Sequence, residues 1–516
     1  MSAEKFKEQI NTGYTFKKDF LCLGGAMYQN ETILDAHVKI PLKTLNRHGL
    51  IAGATGTGKT KTLQVIAEQM SSKGIPTLLM DLKGDLSGLA AAGTLNEHIT
   101  IRHNAIGNMS YQAAPCPVEL LSLTGKNGVR LRATVSEFGP VLLSKILELN
   151  EAQSGLMSVV FMYCDNKKMP LIDLKDLKKV IQYLENEGKE EIEGEYGALA
   201  TTSVSAVMRK IITLEQQGAD MFFGELSFDP QDLLRKDKDG NGFVNVLRLT
   251  DIQDKPMLFS TFMLCLLSEI YATFPEEGDL DQPKLCIFID EAHLIFSEAS
   301  TALVNQLEAI VKLIRSKGVG VFFCTQNPSD IPDAVLGQLG LKVQHAFRAF
   351  TAKDRKDIEK TAENYPLSDF YDTAEELTQM GIGEAFITCL NEKGIPTPLA
   401  RTLLRAPQTR MDILSDLEVK GLLSGSELVS KYNQEVDRES AYEILTKKIN
   451  SATQDTHQEE MKEQQKKATT SSSRPVKEEP SLLESVSKNT MVRQVGRTIF
   501  RELARGLLGV LGVKKR

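Results

Sequence analysis

Tryptophan is missing altogether, and there is no excess of basic residues: 61 lysines and arginines face 68 acidic residues, for a formal net charge of −7. Both features weigh against an exterior wholly given over to nucleic acid, although net charge says nothing about distribution and leaves a local basic channel open. Cysteines are few. The seven, Cys22, Cys116, Cys164, Cys265, Cys286, Cys324 and Cys389, are scattered and never spaced C-x-x-C. No zinc or disulfide framework is readable, and the pattern fits a reducing compartment. Long apolar runs are missing too. The longest, near Met257 to Leu267 and Gly155 to Cys164, are too short to span a bilayer, and the opening MSAEKFKEQINTG has no apolar signal-peptide centre. The expectation is a cytoplasmic protein with no transmembrane segment.

What is present is ordinary globular composition, 41% apolar and 25% charged. The 516 residues predict about two to four domains. Residues 1–45 read as a short β-rich lead-in, with a hairpin from about Asp19 to Pro41. Residues 46–103 open an α/β core. HGLIAGA is a strand, Leu63, Ile66, Ala67 and Met70 mark a helix stopped by Gly74, and IPTLLMDL is a second strand. That order implies a parallel sheet with right-handed crossovers. Residues 104–231 read as a mostly helical insertion, with stretches such as VLLSKILELN and LKDLKKVIQYLENE. The core resumes over 232–405 with FVNVLRL, KLCIFID, VGVFFCTQ and KVQHAFRAF, and a helical extension follows at 406–450. Residues 451–480 are a polar, disordered linker. Residues 481–516 form a C-terminal helical tail. In it Val492, Val495, Ile499, Leu503 and Leu507 make an apolar stripe beside Arg493, Arg497, Arg501 and Arg505. The tail is expected to dock on the protein's own assembly, with an anionic membrane surface or DNA as the other readings.

Gly53-Ala54-Thr55-Gly56-Thr57-Gly58-Lys59-Thr60 matches G-x-x-x-x-G-K-[ST]. Backbone amides must point at phosphate oxygens, which calls for glycines, and the following helix turns its N-terminus to the same anion. Lys59 supplies charge to the β- and γ-phosphates of ATP, the Thr60 hydroxyl ligates Mg2+, and Lys61, next in the first helical turn, is expected to bind the nucleotide as well. KLCIFIDEAH is a buried strand ending in Asp290, positioned to hold the metal, and Glu291, positioned to orient or deprotonate water. Gln326 ends VGVFFCTQ, where a side chain can sense the γ-phosphate. Arg47 precedes the first core strand, and Arg315 ends a helix running against the strands. Both lie at the far edge from their own ATP, so each can reach a neighbouring subunit's nucleotide, although Arg315 also suits a plain helix C-terminus. In Asp81-Leu82-Lys83-Gly84-Asp85 the favoured reading is a turn in which Asp85 caps the next helix. Asp237 to Gly242 imitates half of a calcium loop but has Arg248 where a glutamate is required, and reads as a tight turn.

RHGLIAGATGTGKT, MDLKGDLSGL, KLCIFIDEAHLIF and CTQNPSDIP together resemble the HerA branch of the HerA/FtsK P-loop superfamily. RATVSEFGPVLLSKILELN, FFGEL, HAFRAFTAKD and RELARGLLGVLG resemble its bacterial HerA-like members. The resemblance implies a RecA-like core, a homo-hexameric ring and ATP-driven translocation on DNA. It supports Lys59 and Thr60 for nucleotide and Mg2+, Asp290 and Glu291 for hydrolysis, Gln326 as sensor, and Arg47 and Arg315 as arginine fingers. Only about 45 residues precede the core, too few for the complete N-terminal barrel by which archaeal relatives contact a nuclease, so a nuclease partner is in doubt. A protein-threading or secretion-type motor and an ATP-gated interaction protein are the alternatives. Glu291 argues against the second, because a pure switch can dispense with it.

Overall fold

The computed structural model describes residues 2–454 apart from 108–110, 279, 299–300, 349–350 and 437. Of the linker expected to be disordered at 451–480, residues 451–454 are instead helical, continuing the helix before them; the rest of it and the tail expected at 481–516 lie outside the described residues.

The described strands are β1 (Phe20–Tyr28), β2 (Glu31–Pro41), β3 (Gly49–Ala52), β4 (Thr77–Asp81), β5 (Val118–Ser122), β6 (Val129–Arg130), β7 (Val244–Arg248), β8 (Leu285–Ile289), β9 (Val319–Thr325), β10 (Leu341–His345), β11 (Glu384–Cys389) and β12 (Ala400–Leu404). They form one sheet in the order β2-β1-β12-β11-β10-β3-β9-β8-β4-β7-β5-β6. Every pairing from β10 to β6 is parallel. From β10 through β11, β12 and β1 to β2 every pairing is antiparallel. The parallel strands are continuous apolar runs because both faces are covered. On β9, Val319, Val321 and Phe323 enter one core while Phe322 and Cys324 enter the other, the period of two that a pleated strand imposes.

Helix Lys59–Ser72 covers one face with Leu63, Val65, Ile66 and Met70. The other face carries Pro256–Thr273 together with the helices Val135–Ile146, Glu151–Lys167, Leu174–Glu185 and Thr201–Gln216. Capping boxes start three of these, at Thr134/Glu137, Asn150/Gln153 and Asp173/Asp176. The stretch read as mostly helical from Asn104 onward also holds β5 and β6, which extend the core sheet beyond β7. Five buried residues between Pro117 and Leu123 are too few to show a period. The lead-in begins with a helix, Ala3–Gly13, capped by Ser2 and burying Phe6 and Ile10. Asp237 accepts the amides of Asp239 (2.9 Å) and Asn241 (2.8 Å) in the tight turn expected there. No described helix is long and apolar enough to cross a membrane.

The helix after β3 is also tied to the chain's C-terminal part. Buried Glu68 accepts the backbone amides of Gln408 (2.9 Å) and Thr409 (3.1 Å) and the Thr409 hydroxyl (3.0 Å). Burial raises its pKa and these bonds oppose the rise. Glu68→Ala should cost about 1–3 kcal/mol by stranding buried donors. Thermal denaturation would show a lower Tm, and limited proteolysis would show new cutting near residues 408–414. An unchanged Tm would mean that this tie does not hold the segment.

Candidate functional site

Parallel strands bring their carboxyl ends to one edge, where ligands of such sheets bind. Here β3, β9, β8 and β4 end at Ala52, Thr325, Ile289 and Asp81. The loops beyond them gather Gly53–Thr60, Gln326, Asp290, Glu291 and Lys83.

Gly53 leaves β3 at φ 147°, and a Cβ there would lie 2.5 Å from the His345 Cβ. Its N–H donates to Thr325 O at 3.3 Å, and the Ala54 N–H donates to Ala346 O at 2.9 Å. The loop is thereby suspended between β9 and the end of β10. Thr57 is buried. Its hydroxyl donates to Ala54 O (2.7 Å), and its carbonyl accepts the Gly383 N–H (3.0 Å). Thr55 and Gly56 are exposed and Thr60 is half-buried. Gly58, at φ 113°, turns the chain into the helix that begins at Lys59. Lys59 is only 8% exposed, and its ammonium donates to the Gly53 (2.7 Å) and Ala54 (3.2 Å) carbonyls. Burial, then the Lys83 charge, lowers its pKa against the pull of Glu291 and Asp290. Half-buried Lys61 donates to Gln64 Oε1 at 3.3 Å and to Met411 O.

Asp290 is buried, and its Oδ2 has no hydrogen-bond partner among the described residues. Burial first, and the neighbouring Glu291 second, push its pKa up to about 7. A buried carboxylate oxygen without a partner suits a hard divalent cation such as Mg2+. Glu291 sits at φ 49°, a left-handed backbone that costs a bulky residue about 1–2 kcal/mol. Its carboxylate forms an ion pair with the Lys83 ammonium, and His293 Nδ1 lies 3.2 Å from Oε2. Partial burial pulls the Lys83 pKa down, but the Glu291 hydrogen bond and the Asp290 charge outweigh it and leave it raised.

Asp85 does not cap the helix after β4, as was expected of it. Asp81 fills the turn instead, accepting the amides of Gly84 (2.7 Å), Asp85 (3.2 Å) and Leu86 (3.1 Å). A buried Asp at a strand end folds back on the next amides more readily than an Asp four residues on. Gln326 is exposed, one residue past β9 and beside the start of the loop.

The arginines are not brought to this edge. Arg47 closes the turn before β3. Its carbonyl accepts the Gly340 N–H at 2.8 Å, and its guanidinium lies beside Gly394. Exposed Arg315 begins the turn before β9. Between them buried His48 accepts the Val321 N–H at 3.0 Å. Burial lowers its pKa to about 4, with Arg315 adding to the effect.

Sequence reasoning missed three residues. Lys83 was readable only as part of a turn, and His293 only as the last letter of DEAH. His345 carried no signal. Its Nε2 lies 2.8 Å from the Thr62 hydroxyl, and burial, then Lys59, lowers its pKa to about 3, so it supports the loop as a neutral ring. A cavity of about 350 Å³ opens beside the loop between Gly58, Thr62, Ile99, Ile382, Leu404 and Met411. Arg102 shapes it by donating to the carbonyls of Gly383 (3.2 Å), Leu404 (3.0 Å) and Ile382 (3.2 Å).

The family described as helicase HerA-like C-terminal matches residues 27–516. "DNA double-strand break repair helicase HerA" of Sulfolobus acidocaldarius is 22% identical over 359 residues, covering 68% of this chain and 64% of that protein. The protein of the same name from Sulfurisphaera tokodaii is 25% identical over 361 residues with the same coverage. The chain thus spans 64% of the length of these relatives. Among solved structures, plasmid coupling protein TrwB with a non-hydrolysable ATP analogue matches at TM-score 0.51 and 14% identity, over 80% of this chain and 96% of that one. That likeness establishes the fold, a RecA-like α/β core built on a mostly parallel sheet.

A phosphate loop bordered by an apolar cavity predicts that the cavity takes the nucleobase. Ile382→Asp, at a side chain already 69% exposed, should weaken a fluorescent ATP analogue about fivefold, the loss of roughly 1 kcal/mol of apolar contact. Tripolyphosphate affinity, measured by competition, should not change. Equal loss for both ligands would remove the cavity from nucleoside contact.

Proposed function

Given that the chain belongs to the HerA-like helicase C-terminal family, we propose that it hydrolyses ATP with magnesium at this edge and works as a ring-shaped motor on DNA. What carries the reading is one meeting of groups: a phosphate loop, the unpartnered Asp290 oxygen, and a second carboxylate one residue on. Lys59 exchanges the Gly53 and Ala54 carbonyls for the β- and γ-phosphates, and the amides of the loop cradle the same anion. Thr60 and Asp290 hold the magnesium, which when bound offsets phosphate charge. Glu291 orients the attacking water and accepts its proton, and Gln326 contacts the γ-phosphate. Lys61, which donates to Met411 O beside the cavity, joins the nucleotide contacts from the first helical turn. DNA as the track is supported by the relatives named for acting on it, the two HerA helicases and a "DNA import protein CedB" of Sulfolobus acidocaldarius.

Glu291→Gln should cut turnover about a hundredfold or more while a nucleotide analogue still binds, and Lys59→Ala should weaken binding itself. Double-stranded DNA should raise wild-type turnover. Wild-type rates in Glu291→Gln would take Glu291 out of the mechanism, and indifference to DNA would count against the track.

A ring, of six subunits on the family resemblance, is supported by the positions of the arginines. Arg47 and Arg315 lie at the amino ends of β3 and β9, and the loop lies at their carboxyl ends. In a closed ring one subunit's amino edge can meet the next subunit's site, and an arginine arriving there stabilises charge in the transition state. Mixing Lys59→Ala with Arg315→Ala subunits should restore part of the activity that each lacks alone. Full turnover by a protein that stays monomeric with ATP would refute hydrolysis across subunits.

A further inference from the structure

The proposed mechanism leaves one charged motif unused. Lys83 stands at the centre of the turn after β4, and that turn is fixed at both ends. Asp81 accepts three of its amides, and the Gln253 side chain donates to Leu82 O. Its ammonium therefore reaches Glu291 from a defined support. Glu291 itself is buried at φ 49°, with His293 Nδ1 3.2 Å from its other oxygen. Lys59, parked on the loop carbonyls, and Asp290 complete a group of two cations and two carboxylates at the edge.

We propose that Lys83 is a positioning residue that latches Glu291 in the nucleotide-free chain, so that Glu291 reaches the attacking water only once this ion pair opens. The proposal rests on the assignment of Glu291 as the water-activating group. Exposure decides which partner moves. The Lys83 side chain is 43% exposed and has solvent to swing into, whereas that of Glu291 is 9% exposed and has none. Positive charge delivered to Asp290, with Lys59 already close by, repels the Lys83 ammonium. His293 stays behind to orient the freed carboxylate.

The test uses the full chain with Lys83→Met, Lys83→Arg, Glu291→Gln and the Lys83→Met/Glu291→Gln double variant. Without DNA, Lys83→Met should raise kcat about two- to fivefold, the scale of a partly exposed ion pair, with KM little changed. Lys83→Arg should restore the wild-type rate, and the double variant should be as slow as Glu291→Gln alone. Binding gives a second readout. The Mg2+ concentration that half-saturates binding of a non-hydrolysable fluorescent ATP analogue should fall about threefold in Lys83→Met, because one cation no longer competes for the carboxylates. A fall in kcat with binding intact would overturn the latch and place Lys83 in the loaded site. An unchanged kcat and an unchanged Mg2+ midpoint would overturn it as well. If the wild type binds ATP but does not hydrolyse it, the hydrolytic reading falls, and the Mg2+ midpoint still decides whether Lys83 holds the carboxylates.

Discussion

β3 is hydrogen-bonded between β9 and β10, parallel to both, over only four residues. The ladder does not stop where the strand stops. The Gly53 amide continues it onto Thr325 and the Ala54 amide onto Ala346, so the first two residues of the phosphate loop are still held by the sheet. A Cβ at Gly53 would collide with His345, and His345 in turn is locked to Thr62 on the helix that the loop feeds. The start of the loop and the helix it feeds are therefore both tied to the sheet by these contacts. That is what preorganised amides require if anion binding is not to be offset by the entropy of ordering a loop. The neighbouring strands inherit their positions from this register. β8 follows β9, β4 follows β8, and their last residues bring Asp290, Glu291 and Lys83 to the same edge.

The edge holds more charge than its burial would tolerate if the charges were unpaired. The arrangement is a mutual neutralisation. Lys59 turns to backbone carbonyls, Lys83 turns to Glu291, and Asp290, left with an unpartnered oxygen, has its pKa lifted to about 7. Removing one partner of such a set exposes the others to the full desolvation cost.

The site was far easier to read in the sequence than its surroundings. Gly53 to Thr60, Asp290 and Glu291 follow from spacing alone, because phosphate and metal geometry admit few residue types, and continuous runs such as LCIFI and VGVFFCT announce buried parallel strands. Long-range pairings were not legible. Nothing in VELLS states that it will lie beside β7, more than 120 residues on, and the pairing of β1 with β12 joins segments almost 400 residues apart. The turn after β4 was misjudged for a related reason. Both Asp81 and Asp85 have the right chemistry to fold back on backbone amides, and burial, which the sequence does not display, selects Asp81. His345 was invisible because its value lies in being neutral and buried, a property of its neighbours.

The segment from Glu291 to Arg315 links the two edges. It leaves β8 at the carboxylate and passes through the helices His293–Glu298 and Thr301–Ile314. It arrives at Arg315 immediately before β9. Fourteen helical residues span about 21 Å, roughly the depth of the sheet. The Thr301–Ile314 helix is packed rather than free: Leu307, Ile310, Val311 and Ile314 are buried, and Gln306 accepts from Lys145 of the helical insertion. Glu291 thus stands at one end of this two-helix segment and Arg315 at its other end. In the proposed ring that other end faces the next subunit's nucleotide.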